Sequence, residues 1–236
     1  MITILGVGHV FDIQERVKSE IAARNPAVVA VELDRGRYES LKSGEKGKGA
    51  PLIYRAMSLI QKRIAKKFEV EVGSEMLAAV DIAEEIGANI ALIDMPSQIV
   101  FKKMLGQMSI KEKIYFFFGT VAGLFAGKKR IEKEMDRYEK HSGDYMKVVE
   151  KEMPALSRVL IDERNVHMAK NIKRLEERFG SVVAVVGDGH VPGLVKEIRG
   201  RRESVDDVEI LRLKDIRKER ESKDNTEVSF SFSYEA

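Results

Sequence analysis

The sequence predicts an α/β protein with a mostly parallel sheet and helices on both of its faces. Short apolar runs rich in β-branched residues recur along the chain, and segments with helical periodicity separate them. The runs are continuously apolar rather than alternating, which is typical of parallel strands that helices cover on both sides. With 236 residues and 44% hydrophobic content, the chain is also long enough to bury a sizeable core.

The elements follow in order along a single predicted domain, residues 1–236. The four predicted core strands are 2–5, 28–31, 90–93 and 182–186. The third strand follows a helix that Ser74 is expected to cap, and a helical insertion is expected over residues 100–153. Late strands are predicted at 208–213 and in the alternating segment 228–234, so the chain is expected to finish in a β hairpin.

The composition limits the chemistry available to the chain. It has no cysteine, which excludes disulfides, thiolate zinc sites, iron–sulfur clusters and cysteine nucleophiles. Four histidines supply all of its imidazole groups. The first residues lack the basic segment and cleavage site of a secretory signal, so a cytoplasmic location is expected.

Positive charge is concentrated in two segments although the net charge is only +3. Residues 42–67 hold eight Lys or Arg against one Glu, and residues 102–130 hold seven against one. Neither segment has a helix-turn-helix, zinc-finger or RNA-recognition pattern, which argues against a nucleic-acid partner. The apolar run 114–126 is too short to cross a bilayer of about 30 Å. We therefore expect residues 111–130 to form a core helix, to lie on a membrane surface or to form a homodimer interface.

A local repeat is the most informative feature of the sequence. The first strand leads into Gly6-Val7-Gly8-His9-Val10, and the strand at 182–186 leads into Gly187-Asp188-Gly189-His190-Val191. Glycines directly after a strand permit a sharp turn, and ligands of open α/β sheets bind at the carboxyl ends of the strands. The sequence therefore predicts that His9 and His190 share one site. A dinucleotide fingerprint is excluded because Phe11 and Pro192 stand where its third glycine is needed.

Carboxylates are expected at the same edge of the sheet. Glu32 and Asp34 directly follow the second strand, and Asp94 follows the third. Glu75 lies in the first turn of the helix that precedes the third strand, where the helix dipole favours an anion. Asp94 and Glu75 could equally serve their helix ends, whereas Glu32 at the end of a buried strand requires a metal, arginine or histidine partner.

A later helix, predicted over about 155–179, supplies a cation and an amide. Its apolar stripe consists of Ile161, Met168, Ile172, Leu175 and Phe179. Arg164 and Asn165 fall on that stripe, so each is expected to be paired, Arg164 with a carboxylate or an oxyanion and Asn165 with a histidine or a substrate carbonyl. Glu163 and His167 lie four residues apart and could bind a metal, although a solvated helix pair explains them as well.

Imidazole and carboxylate ligands without thiolates suit a divalent ion such as Zn, Mn or Fe. Such an ion could polarise a carbonyl group and lower the pKa of water while a glutamate takes the proton, which makes metal-assisted hydrolysis the expected reaction class. The patterns His-Glu-x-x-His and Gly-x-Ser-x-Gly do not occur, so neither an ordinary zincin nor a serine hydrolase is predicted.

The ordered set of motifs resembles the TraB/PrgY family. It comprises the two glycine–histidine motifs, Val31-Glu32-Leu33-Asp34, Gly73-Ser74-Glu75-Met76, Ala91-Leu92-Ile93-Asp94 and Glu163-Arg164-Asn165 followed by Met168-Ala169. That family is similar to the Tiki metalloproteases and, more distantly, to erythromycin esterases and haem-binding ChaN proteins. The resemblance spans residues 2–195 and implies an α/β fold with a site made of the two histidines and nearby acids.

The resemblance implies a Tiki-like, metal-dependent peptidase that uses Mn, Co or Zn. His9, Glu32 and His190 are the expected metal ligands, Glu75 the general base, Arg164 the oxyanion-stabilising group and Asn165 a ligand-orienting group. Asp34, Asp94 and Glu163 are further candidates. PrgY-type members block a peptide pheromone, so the alternative is a non-catalytic module that sequesters a peptide or haem-like ligand, or a membrane-associated regulatory protein.

Overall fold

The structure, a computed structural model, describes residues 1–8, 13–43, 73–124, 148, 150–200 and 208–216, without the side chains of 120–124. Its strands are β1 (Ile2–Val7), β2 (Val28–Val31), β3 (Asn89–Leu92), β4 (Val182–Gly187) and β5 (Val208–Leu211). Its α-helices are α1 (Gln14–Arg24), α2 (Arg35–Ser43), α3 (Ser74–Glu85), α4 (Ser97–Gln107), α5 (Ile110–Leu124), α6 (Pro154–Ser157), α7 (Glu163–Phe179) and α8 (Val191–Arg199).

The strands form one five-stranded sheet in the order β3-β2-β4-β1-β5. All of its pairings are parallel, which confirms the predicted α/β fold. The predicted strand at 208–213 is β5, and it pairs in parallel with β1. Residues 228–234, the other strand of the expected hairpin, lie outside the described residues.

Helices cover both faces of the sheet, and alternate strand residues point into two separate cores. Val29, Val31, Val183 and Val185 pack with apolar residues of α1 and α3 on one face. Val28, Ala30, Val182 and Ala184 pack with Met168 and Ile172 of α7 and with Leu194 of α8 on the other. Burial on both faces explains why the strands are continuously apolar.

A third, smaller core joins α4 to the segment that leads into α7. It contains Val100, Phe101 and Met104 of α4 together with Ala155 and Val159. Within the predicted insertion the structure describes α4 and α5, and α5 begins with a capping box. The Ser109 amide donates to Glu112 Oε2 at 2.7 Å, and the Glu112 amide donates to Ser109 Oγ at 3.2 Å. Glu112 Oε1 also accepts the Ala155 amide at 2.8 Å, so one carboxylate ties the start of α5 to α6.

Two local predictions were wrong. The helix predicted from 155 to 179 contains a π-helical turn over Arg158–Asp162 between α6 and α7. The wider turn changes which of its own residues face the core: Val159 is fully buried, whereas Ile161 is only half-buried and does not join the apolar stripe. Ser74 is the first residue of α3 rather than its cap, and Gly73 with a positive φ of 85° precedes it.

Among the described residues, no helix combines the length and the apolar character that crossing a membrane requires.

Candidate functional site

The two glycine–histidine motifs follow neighbouring strands. In the β1–β4 pair, Gly6 is opposite Val186 and Val7 is opposite Gly187. The two strands therefore end at the same level of the same edge, as the shared-site prediction requires. His9 lies outside the described residues, so its approach to His190 stays a prediction.

Glycine is needed where β1 passes the β4 motif. A Cβ atom on Gly6 would lie 2.5 Å from Asp188 Oδ1 and 2.9 Å from Val191 Cγ2, both closer than real contacts allow. Asp188 itself is held by Arg212, whose Nε and Nη2 donate to its two oxygens at 2.7 and 2.6 Å. The close packing of Gly6 against Asp188 thus fixes the turn that carries His190.

Glu32 stands directly beyond β2, on the sheet face that α7 covers. Its backbone amide donates to the Val185 carbonyl at 3.0 Å, which continues the β2–β4 ladder by one residue. Its Oε2 accepts the Gly187 amide at 2.7 Å. The buried carboxylate is thereby anchored to the end of β4, beside the turn that leads to His190.

Arg164 lies at the centre of the site and binds two carboxylates and a histidine. Its Nε and Nη2 donate to Asp94 Oδ1 and Oδ2, each at 2.8 Å, in a two-pronged pair. Its Nη2 also donates to Glu32 Oε1, and its Nη1 contacts His190 Nε2 at 3.0 Å and the Leu160 carbonyl at 3.1 Å. The guanidinium therefore unites residues from the ends of β2, β3 and β4 with the first turn of α7.

The contacts of His190 define which ring nitrogen carries the proton. A guanidinium can only donate, so His190 Nε2 accepts from Arg164. His190 Nδ1 then bears the hydrogen and donates to Asn165 Oδ1 at 2.8 Å. The imidazole is neutral in this arrangement, and Asn165 holds both its tautomer and its orientation. The sequence predicted that Asn165 pairs with a histidine or a substrate carbonyl, and in the structure its Oδ1 pairs with His190.

The charges of the cluster favour the protonated arginine. Burial lowers the pKa of Arg164, but the charges of Glu32 and Asp94 and their hydrogen bonds outweigh it and raise the pKa above its ordinary value. The side chains of Glu32 and Asp94 are almost fully buried, and that of Arg164 is 13% exposed. Arg37 adds a second cation at the rim, with Nη1 at 3.4 Å from Asp94 Oδ2. Two buried carboxylates are thus neutralised within one connected network.

The two aspartates that the sequence offered have different roles. Asp94 binds Arg164 and also accepts its neighbouring amide from Met95 at 2.7 Å. Asp34 accepts the Gly36 amide at 2.9 Å through Oδ1 and the Ser97 amide at 3.2 Å through Oδ2. Asp34 therefore serves the starts of α2 and α4, which is the role of a helix cap rather than of a catalytic group.

Two other acidic candidates lie in the first turns of α3 and α7. Glu75 is fully buried in the first turn of α3, and α3 packs on the face of the sheet opposite α7. Glu163 faces α4, where its Oε2 accepts from Lys103 Nζ at 2.7 Å, and this contact is the main cause that lowers the pKa of Glu163. Glu163 therefore forms an ion pair between α7 and α4.

The sequence did not reveal two residues that shape the site. Arg37 follows Asp34 closely in sequence but reaches Asp94, a contact across the sheet edge that no local pattern encodes. Gly193 lies inside α8, where a Cβ atom would be 2.0 Å from Asn165 Nδ2. Glycine is unfavourable within a helix, so its presence there was a signal of close approach by another group.

The fold and the cluster together define a parallel α/β protein with a buried ion network at the carboxyl edge of its sheet. The chain belongs to the TraB/PrgY/gumN family, whose model matches residues 1–200. The family predicted from the motifs is thus confirmed.

Two curated relatives are similar to most of the chain. The uncharacterized protein MJ1365 of Methanocaldococcus jannaschii is 32% identical over 228 residues, covering 90% of this chain and 56% of the relative. A TraB domain-containing protein of Bos taurus is 23% identical over 233 residues, covering 82% of this chain and 61% of the relative. The chain therefore spans somewhat less than two thirds of the length of these relatives.

Proposed function

We propose that this TraB-family chain is a metal-dependent hydrolase that acts on peptides at the carboxyl edge of its sheet. The observation that supports it best is the meeting of His190 and Glu32 beside the end of β1, the strand that leads to His9. The His190 Nε2 atom lies 3.4 Å from Glu32 Oε1, so an imidazole and a carboxylate face a common point. These are the donor types that Zn, Mn and Co accept.

The chemistry of these donors fits a divalent ion, and His9 would complete the set. Within the part of the chain that the structure describes, no three His, Asp, Glu or Cys side chains are arranged to hold a metal. His190 and Glu32 are two of the proposed ligands, and His9, which lies outside the described residues, is the proposed third. When bound, the ion would polarise a carbonyl group and lower the pKa of water.

Arg164 determines how His190 becomes available. Its Nη1 occupies the lone pair of His190 Nε2, the same nitrogen that a metal would use. The two bonds from Arg164 to Asp94 involve Nε and Nη2 instead, so the arginine can release the histidine and remain anchored. Its freed Nη1 would then be a donor for a developing oxyanion.

Asn165 and Glu75 have separate proposed roles. Asn165 keeps the proton of His190 on Nδ1, so Nε2 carries the electron pair that accepts from Arg164 and that would bind the ion. Glu75 lies buried at the start of α3, and because α3 leads into β3, its first turn lies toward the carboxyl edge of the sheet. There Glu75 is the proposed general base that takes a proton from water. In this proposal each residue of the site contributes to binding, orientation or proton transfer.

One observation favours a different function for the same site. Arg164 already satisfies His190 Nε2, Glu32 and Asp94, so the buried groups are paired within the chain itself. A site whose groups are already paired in this way would serve a non-catalytic module that sequesters a peptide or a haem-like ligand. The experiment must therefore separate metal binding and turnover from ligand binding alone.

Isothermal titration calorimetry with Mn²⁺, Zn²⁺ and Co²⁺ provides that separation. We expect the wild-type chain to bind one ion, His190→Ala to lose that binding, and His167→Ala to bind as the wild type does. His167 is a matched control because it is a half-buried histidine on the same helix as Arg164, outside the cluster. Asn165→Leu should weaken metal binding by about 10- to 100-fold, the usual effect of losing a group that orients a metal-bound histidine.

Turnover is measured on a peptide library by mass spectrometry in the presence of the ion that binds. We expect cleavage by the wild type and by His167→Ala, and loss of cleavage in Glu75→Gln with metal binding retained. If the wild type binds no ion, or if His190→Ala binds it equally well, the metal site is disproved. Metal binding without cleavage of any peptide would instead favour the sequestering module.

A further inference from the structure

The helix α5 carries an apolar face that points away from the rest of the described protein. Ile110, Ile114, Phe117 and Phe118 are each between 52% and 78% exposed. At 100° per residue these four positions fall within one sector of the helix. Together with Tyr115, which is also exposed, they make one outward stripe of large apolar side chains.

The opposite side of α5 already faces the protein. Glu112 is buried there and holds the capping box and the start of α6. Phe116, one turn further along, packs against the small core of α4 and α6. The exposed stripe is therefore additional to the face that docks the helix. Exposed aromatic patches of this kind are typical of interaction surfaces.

Lysines border the sector of Ile110, Ile114, Phe117 and Phe118 on both sides. Lys111 and Lys113 are exposed, and their positions on the helix lie at opposite edges of the apolar sector. Lys111 Nζ lies 5.5 Å from the centre of the Tyr115 ring, so its aliphatic part runs along the stripe. The only acid of α5, Glu112, is buried and already bonded, which leaves the exposed surface of this helix cationic.

We propose that the exposed face of α5 docks on an anionic lipid bilayer, with the helix lying in the plane of the membrane surface. The 15 residues of α5 extend about 22 Å, less than the thickness of a bilayer, so the helix lies on the surface rather than across it. Its apolar stripe would enter the headgroup boundary while the two lysines extend to lipid phosphates and carboxylates.

Charge favours a bilayer over a second copy of the chain. Pairing two copies through this face would bring cationic edges together, and α5 exposes no acid to neutralise them. An anionic membrane supplies the complementary charge for Lys111 and Lys113 in the first turn of α5. Each lysine near the membrane surface raises the affinity about fivefold.

Vesicle flotation tests this proposal on the whole chain. We expect the wild type to float with vesicles of phosphatidylcholine and phosphatidylserine and to stay unbound with phosphatidylcholine alone. The double variant Phe117→Ser/Phe118→Ser should bind about tenfold or more weakly, because it removes two aromatic side chains that would be buried in the bilayer. Val166→Ser is the matched control, since Val166 is an equally exposed apolar residue on α7 and should bind as the wild type does.

Three results would overturn the proposal. The first is an absence of wild-type binding to the anionic vesicles, and the second is unchanged binding by the double variant. The third is a wild-type dimer without lipid, measured by light scattering, that the double variant converts to monomer; this would assign the face to a second copy. A thermal melt of each variant separates loss of membrane binding from loss of folding. The double variant Lys111→Gln/Lys113→Gln should lower binding to the anionic vesicles while it leaves the apolar stripe unchanged.

Discussion

Replacing Arg164 by methionine tests how strongly the buried cluster depends on its single central cation. The substitution keeps an unbranched side chain but removes the two bonds to Asp94 and the contacts with Glu32 and His190. It leaves two buried carboxylates without their main partner. Breaking a buried ion pair by removing one member costs about 3–5 kcal/mol, so we expect the free energy of unfolding to fall by about that amount.

The effect can be measured by urea denaturation at neutral pH and by thermal melting. For a chain of this size the loss corresponds to a fall in melting temperature of about 6–20 °C. Arg35→Met is the matched control, because Arg35 pairs with Glu39 at 2.9 Å but its side chain is 88% exposed. That exposed pair should contribute no more than about 1 kcal/mol. Adding Glu32→Gln to Arg164→Met should recover part of the loss, since one uncompensated charge is removed.

The result that refutes this reasoning is a cost for Arg164→Met no larger than that of Arg35→Met. An additive double variant, in which Glu32→Gln gives no recovery, would show that the two side chains are not coupled.

A further consequence of removing Arg164 concerns the affinity of the site for a metal ion. Without Arg164, no guanidinium competes with the ion for His190 Nε2 and Glu32 Oε1. Arg164→Met should therefore bind a divalent ion more tightly than the wild type although it loses peptide cleavage.

Two further predictions concern the residues that support the cluster. Gly193→Ala should destabilise the protein by about 1–3 kcal/mol in thermal melts, because the added methyl group collides with Asn165. Gly106→Ala, where nothing lies within 4 Å, should be neutral or stabilising, and equal effects of the two substitutions would contradict the packing argument. For Asp188, burial raises the pKa of the carboxyl group, but the hydrogen bonds from Arg212 and a backbone amide outweigh it and lower the pKa. Its contribution to stability is therefore present above about pH 4 and is lost as the pH falls through the lowered value. Urea denaturation should show wild type more stable than Asp188→Asn at neutral pH, with the difference shrinking below about pH 4; a constant difference would refute it.

The strands could be predicted from the sequence because burial on both faces leaves a direct record in the residues. The strands Val28–Val31 and Val182–Gly187 contact helices on both faces of the sheet, and neither strand contains a polar side chain. The repeated motif also predicted that β1 and β4 lead to one edge, and their pairing in register agrees with this. Local sequence was sufficient for the strands because each strand depends on one segment and the helices that cover it. The shared edge could be predicted because the same motif occurs after both strands.

The contacts within the site depend on long-range geometry and could be predicted only in part. The sequence indicated that Arg164 would pair with a carboxylate or an oxyanion, but not that it would bind both Glu32 and Asp94, which are 132 and 70 residues away. The π-helical turn before α7 displaced Ile161 from the apolar stripe. The sequence pattern could not predict this, because it assumes 3.6 residues in every turn and a π-helical turn contains more. The role of Asp34 was missed because capping two helices requires the start of α4 to lie beside the start of α2.

Anomalous X-ray scattering from crystals soaked in Mn²⁺ or Zn²⁺ tests the proposed metal site most directly. We expect a single strong peak within about 2.0–2.2 Å of His190 Nε2, with His9 and Glu32 as further ligands and Arg164 still bound to Asp94. The contradicting result is Arg164 Nη1 remaining on His190 Nε2 with no peak beside it, or a His9 ring too distant for one ion to join the two histidines.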